Sequence, residues 1–346
     1  MTQTINLQFQ TTVEPIVIDG TEISDCSQGN YKDTELLKYI KIRSDSLSSF
    51  WNRDMYISAK VLLPAGFNAL DTPQDGKPAR PTPKLIIVMF RHKNPFYNDS
   101  YAVNSPNLGP YSDALNDELV PHLDIMFNTI AQPVIFRPDL YGACFASYPD
   151  SLDFHQHQDN NLYEQAKAYV RNGLPVPSNR KVDDDGVERV KVTMEAENHW
   201  ELTFGTSGRS TLQTDVWFAV CSVQGLNGYP LAAWDKITGE IYPDVVELWK
   251  PMDLTHYILS NWNSKLNLGE VLRGRIHVYV GGMDSYYLDE GVEQFRMRVT
   301  ERGGPEWANV TVLPGEAHGG VYNLLPKWTY LDLLLQWVAG KDAALR

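Results

Sequence analysis

The sequence predicts a single α/β domain: a doubly wound, mostly parallel sheet, preceded by antiparallel strands and interrupted by one polar inserted segment. Three observations predict it. Lys84–Phe90 and Gly274–Val280 are unbroken apolar runs, the pattern of strands buried on both faces. Segments with helical spacing alternate with such runs, as a parallel sheet with crossover helices requires. The N-terminal part instead alternates apolar and polar residues in short stretches cut by Gly and Pro, the mark of antiparallel pairing.

The elements follow in order. Ile5–Phe9, Ile16–Ile18, Leu36–Ile42 and Met55–Leu63 are the early strands, and the Pro- and Gly-rich stretch Asp71–Pro83 is an exposed loop. After the strand Lys84–Phe90, apolar residues at helical spacing (Leu115, Leu119, Leu123, Met126, Phe127, Ile130) predict a helix over Asp113–Ile130. Tyr141–Tyr148 reads as the next strand. Residues 150–198 are polar and read as a cap or surface insertion. His199–Phe204 looks strand-like, Leu212–Val220 helical, and Asp244–Asn261 helical again. Strand Gly274–Val280, a helix around Val292–Thr300, strand Asn309–Leu313 and a final helix Leu331–Val338 complete the pattern.

Composition narrows the function classes. The 346 residues suit one domain over 1–346, and 43% apolar content with nine Trp supplies a core. A formal charge of −13 argues against nucleic acid or an anionic membrane as partner. No apolar run reaches membrane-spanning length. Three Cys (Cys26, Cys144, Cys221) are scattered with no metal-like spacing, and an odd number makes no disulfide framework, though one bridge is possible. No leader pattern opens the chain, so a cytoplasmic protein is expected by default, or a secreted one if a leader is missing. No cofactor motif is present: Gly281-Gly282 follows a late strand and lacks the Lys-Ser/Thr of a phosphate loop.

The chemistry concentrates at two strand ends. In doubly wound sheets ligands lie beyond the carboxyl ends of the strands. Asp284 follows Gly274–Val280, and His318 follows Asn309–Leu313. Acid before base, with one helix between, is the order of an α/β-hydrolase triad downstream of its serine. In such a triad a neutral imidazole takes the serine proton, and a buried carboxylate fixes its tautomer. The competing reading of each residue is ordinary: a helix N-cap for Asp284, a loop residue for His318.

Several stretches resemble one family. They are Tyr56–Phe67, Tyr148-Pro-Asp-Ser-Leu-Asp-Phe154, Gly205-Thr-Ser-Gly-Arg-Ser210 before Trp217, Gly228-Tyr-Pro230 with Trp234-Asp-Lys236, Ile276–Leu288 and Glu316-Ala-His318. Together they are similar to the α/β-hydrolase esterases related to enterochelin and feruloyl esterases, over about Leu36 to His318. The resemblance implies carboxylic-ester hydrolysis through an acyl-enzyme, a small-molecule ester as partner, Asp284 as triad acid and His318 as triad base.

The nucleophile is missing from this pattern. Gly-x-Ser-x-Gly, the strained turn that lifts a serine above the sheet, does not occur. The nearest candidates are Ser207 and Ser210, each with a large residue (Arg209 or Leu212) where the second Gly belongs. Topology places the elbow between Ile130 and Pro138. Only Ala131–Arg137 lies there, while a strand, elbow and helix start need roughly 15–20 residues. Family members carry the elbow just before the stretch matching Pro138–Tyr148. They also place Gly where this chain has Arg91, before His92; a backbone N–H there could serve an oxyanion hole, and a large cation would either crowd the hole or bind an anionic group. Two functions follow as expectations: an esterase with an unnamed serine, or a non-catalytic pseudo-hydrolase that binds or scaffolds.

Two weaker patterns complete the reading. His155-Gln-His157 with Asp159 offers two imidazoles and a carboxylate, but without a further well-placed ligand, and in a polar loop, it reads as an adventitious surface pair. Trp234, Trp249, Trp262, Tyr286 and Tyr287 suit either a core or a sugar or aryl pocket.

Overall fold

The computed structural model describes residues 33–64, 86–97, 99–127, 138, 142–183, 186–319, 335–337 and 340. Ile5–Phe9, Ile16–Ile18, Asp71–Pro83, Ala131–Arg137 and most of Leu331–Val338 lie outside them. The fold is mixed α/β, with one parallel sheet and several antiparallel ones.

Strand β1 (Leu37–Ser44) turns through helix α1 (Asp45–Trp51) into β2 (Met55–Leu62). Ser44 caps α1 through Leu47 N–H, and Asn52 closes it at φ 50°, a conformation Asn tolerates. β2 buries every second residue, Met55, Ile57, Ala59 and Val61, so its alternation describes a strand with one core face. β3 (Ile87–Arg91) pairs antiparallel with β2, giving a three-stranded sheet in the order β1-β2-β3.

This corrects one expectation. The run Lys84–Phe90 does not yield a strand buried on both faces, since Ile87 and Met89 are 41% and 47% exposed. β3 is an edge strand among the described residues, with Ile87 and Met89 on its more open face.

Residues 111–127 are helical, with Ala114–Leu119 in wider π turns. Pro121, which has no N–H to donate, lies just after that widened stretch. Strand β4 (Cys144–Ser147) opens the second half of the chain. The hairpin β5 (Pro177–Val182) and β6 (Glu188–Thr193) then rises from the segment read as an insertion. That segment is not all surface: Phe154, Leu162, Tyr169 and Val176 join a core with Trp217, Trp234 and Trp249.

Helix α2 (Met194–Leu202) replaces the strand expected at His199–Phe204. Thr193 caps it through Ala196 N–H, and Glu195 and Glu197 suit its positive end. The pattern misled because the helix buries polar Asn198 and Glu201 and exposes Trp200 at 56%. α3 (Gln213–Cys221) falls where helical spacing placed it. The single helix expected over Asp244–Asn261 is two, α4 (Pro243–Trp249) and α5 (Leu254–Ser260). Pro251 sits in the tight turn between them, where a continuous helix would need its missing N–H.

β7 (Ile276–Gly281) is buried along its whole length. It lies between β4 and β8 (Asn309–Leu313), parallel to both. Crossover helix α6 (Leu288–Gly303) covers it with Leu288, Val292, Phe295 and Val299, one face at helical spacing. Among the described residues no helix is long and apolar enough to cross a membrane.

Candidate functional site

Three parallel strands deliver titratable side chains to one sheet edge: Asp150 just after β4, Asp284 after β7 and His318 after β8. The loops carrying Asp284 and His318 are joined through their backbones. Gly282 N–H donates to Leu313 O at 2.7 Å and Met283 N–H to Glu316 O at 2.9 Å. A Cβ on Gly281 would stand 2.2 Å from Glu316 O, so the glycine is there for close approach of two backbones. Gly281 thus meets a packing requirement.

That register brings acid and base together. His318 Nδ1 lies 2.8 Å from Asp284 Oδ2, with Asp284 fully buried and the imidazole 38% exposed. Asp284 Oδ1 accepts Tyr286 N–H at 2.9 Å, with Leu288 N–H at 3.5 Å. A buried carboxylate is tolerable only when so satisfied. Asp284 therefore both organises the start of α6 and holds the imidazole. If Nδ1 donates to Asp284, Nε2 is left as an acceptor. Tyr148 and Tyr286 pack against the ring at 4.7 Å and 5.1 Å between centroids. Tyr148 adopts φ 52° directly after β4, a strained conformation for an aromatic residue at a strand end.

Asp150 was not singled out from sequence as a site residue. Burial pushes its carboxyl up, with the charge of Asp99 adding to the shift; donors Tyr101 and Trp217 and the charge of His318 pull it back. The Tyr101 hydroxyl donates to Asp150 and accepts from Gln213 Nε2 at 2.6 Å and Trp217 Nε1 at 3.1 Å. Tyr101 follows β3, as do His92 and Ser100, which are joined Nδ1 to Oγ at 2.8 Å. The edge of the β1-β2-β3 sheet thereby meets that of the parallel sheet.

Neither candidate serine reaches this centre. Ser210 is buried and its hydroxyl donates to Asp215 Oδ2 at 2.6 Å. Asp215 also takes N–H groups from Gly208 and Ser210, and pairs with buried Lys236 at 3.0 Å. Ser207 sits exposed on the same turn. Among the described residues no serine hydroxyl lies within hydrogen-bond distance of a His318 ring nitrogen. Ser147, the last residue of β4, has a buried hydroxyl without a partner, which strand periodicity does not signal.

The remaining patterns resolve into structure. His155, His157 and Asp159 are not brought together. His155 pairs with Asp153 at 2.7 Å, and Asp159 grips Arg171 at 2.6 Å. His157 is packed against Trp217, Phe154 and Trp249, and burial pushes it down to about 4. Asp153, His155 and Asp253 form a tighter group, their ligand atoms within 4.8 Å, but Arg298 donates to Asp153 and Tyr163 to Asp253. Of the five aromatic pocket candidates only Tyr286 is exposed, at 43%; Trp234, Trp249, Trp262 and Tyr287 are core.

No protein-family model, curated protein or solved structure matches this chain.

Proposed function

We propose that this chain is an α/β-hydrolase of the esterase type that keeps the acid–base half of its site and has lost acyl-enzyme chemistry, acting as a binding protein. One observation carries the reading: His318 is held by Asp284 at 2.8 Å, yet no serine hydroxyl among the described residues stands at its ring. The sequence agrees, because Ala131–Arg137, where an elbow belongs, contains neither Ser nor Cys. An imidazole with a buried carboxylate and no nucleophile can accept a hydrogen bond but cannot pass an acyl group to the protein.

A second reading is hydrolysis of a small carboxylic ester through an acyl-enzyme. It is favoured by the intact Asp284–His318 pair on a partly open imidazole. Fluorophosphonate labelling of the folded protein, beside hydrolysis of a short-chain aryl ester, separates the two. The binding reading expects no labelling and no turnover above that of Asp284→Asn. Covalent labelling abolished by Ser207→Ala, Ser210→Ala or Ser147→Ala would establish the esterase reading and name its serine.

A further inference from the structure

The geometry points to Arg180, on the hairpin β5–β6, as the residue that positions Asp284 for His318. This rests on reading Asp284–His318 as the retained centre.

The Arg180 side chain is 6% exposed and makes most of its contacts around the Asp284 loop. Its Nε donates to the backbone carbonyl of Asp284 at 2.8 Å. Nη2 reaches both carboxylate oxygens of Asp289, at 2.7 Å and 2.8 Å. Nη1 lies 3.4 Å from Glu188 on the second hairpin strand. The guanidinium stacks 4.3 Å above the ring of Tyr287. The backbone joins in, since Arg180 N–H donates to Ser285 O at 2.8 Å. Tyr287, held at φ 60°, sends its hydroxyl back to Glu188 at 2.8 Å.

One planar fork thus fixes the loop at Asp284, Tyr287 and Asp289. The carbonyl of Asp284 is held by Arg180 and its Oδ1 by Tyr286 N–H, which leaves Oδ2 directed at the imidazole. Lysine cannot reproduce this, because an ammonium is a point charge without a bidentate plane or a stacking face.

The alternative is that Arg180 only balances the charge of Asp289. The two roles move His318 in opposite directions. Removing a nearby cation raises the titration midpoint of a histidine, whereas moving its carboxylate partner away lowers it. The groups facing the imidazole are Asp284 at Nδ1, Asp150 from the end of β4, and the rings of Tyr148 and Tyr286; all are unchanged in both Arg180 variants.

The His318 ring resonances are followed by NMR through a pH titration of the full chain, in Arg180→Ala, Arg180→Lys and Asp284→Asn. Positioning predicts a midpoint that falls in both Arg180 variants, by at least half the fall in Asp284→Asn. If Arg180→Ala fails to unfold cooperatively, Arg180→Lys carries the test, because it keeps the charge. A midpoint that rises or stays put in a folded Arg180 variant overturns the assignment. Fluorophosphonate labelling is independent of this result, so the failure of one reading is distinguishable from failure of the other.

Discussion

Ser210 shows how a residue with the right neighbours in sequence serves structure instead of chemistry. Its Gly-Thr-Ser-Gly-Arg-Ser setting suggests an elbow, but its hydroxyl is spent on Asp215. Loss of a buried hydrogen bond to a charged group costs about 1.5–3 kcal/mol. Ser210→Ala is therefore expected to lower the urea unfolding free energy by roughly that amount. It should leave reactivity toward a fluorophosphonate unchanged. That Asp284 and His318 meet was legible because each follows an apolar strand by a few residues, a purely local signal. Arg180 and Asp150 were not. Arg180 lies 104 positions from Asp284, and Asp150 meets Tyr101 across 49 positions, contacts made only through the fold.

At the scale of elements, buried charge did the most to obscure the sequence. Helix α2 turns Glu201 inward because Lys236 waits there, 2.5 Å from that carboxylate and 3.0 Å from Asp215. A pattern reader expects Glu outside and Trp inside; here Glu201 is buried and Trp200 is not, so the period misleads. Lys236→Met would leave two buried carboxylates without their cation, and breaking such a group costs about 3–5 kcal/mol. Denaturant unfolding should show a loss of that order, with Asp215→Asn in the same background restoring part of it. The glycine pair at the end of β7 makes a second test. Gly281→Ala places a methyl group 2.2 Å from the carbonyl of Glu316, so the acid and base loops must part. We expect destabilisation of about 1–3 kcal/mol, as for other overpacked sites, with a shifted His318 resonance. An unaltered spectrum would mean that the loops do not depend on that contact. Strand β7 was legible because its apolar run is buried along its whole length, and helix α3 falls where helical spacing placed it. β3 misled because an apolar run cannot report which of its faces finds a neighbour.

For the whole molecule, helix α3 joins two of the hydrophobic cores. Its Val216, Ala219 and Val220 pack with the core of β1–β3, while Trp217 and Phe218 belong to the tryptophan core. Beside that shared helix sits His157, 4.5 Å from Trp217, and within the same half lies Glu197 on α2. The two titrate in opposite senses. Burial pushes His157 down to about 4 and Glu197 up to about 7. A histidine with a depressed value contributes stability that is present above its unfolded value, about 6.5, and lost as pH falls toward 4. A carboxyl with a raised value contributes stability present below about 4.5 and lost as pH rises toward 7. Between about pH 4.5 and 6.5 the folded chain binds one proton more at Glu197 and one fewer at His157, so their slopes cancel. Each variant should uncover the other's slope. In Glu197→Gln the unfolding free energy should rise with pH across this window by up to about 1.4 kcal/mol per unit, relative to wild type. In His157→Phe it should fall, with the aromatic packing kept. Other carboxyls, such as Asp150 and Asp253, titrate alike in all three proteins and drop out of the differences. Urea midpoints at four pH values between 4.5 and 7.5 suffice for the comparison, and parallel profiles for all three proteins would refute it.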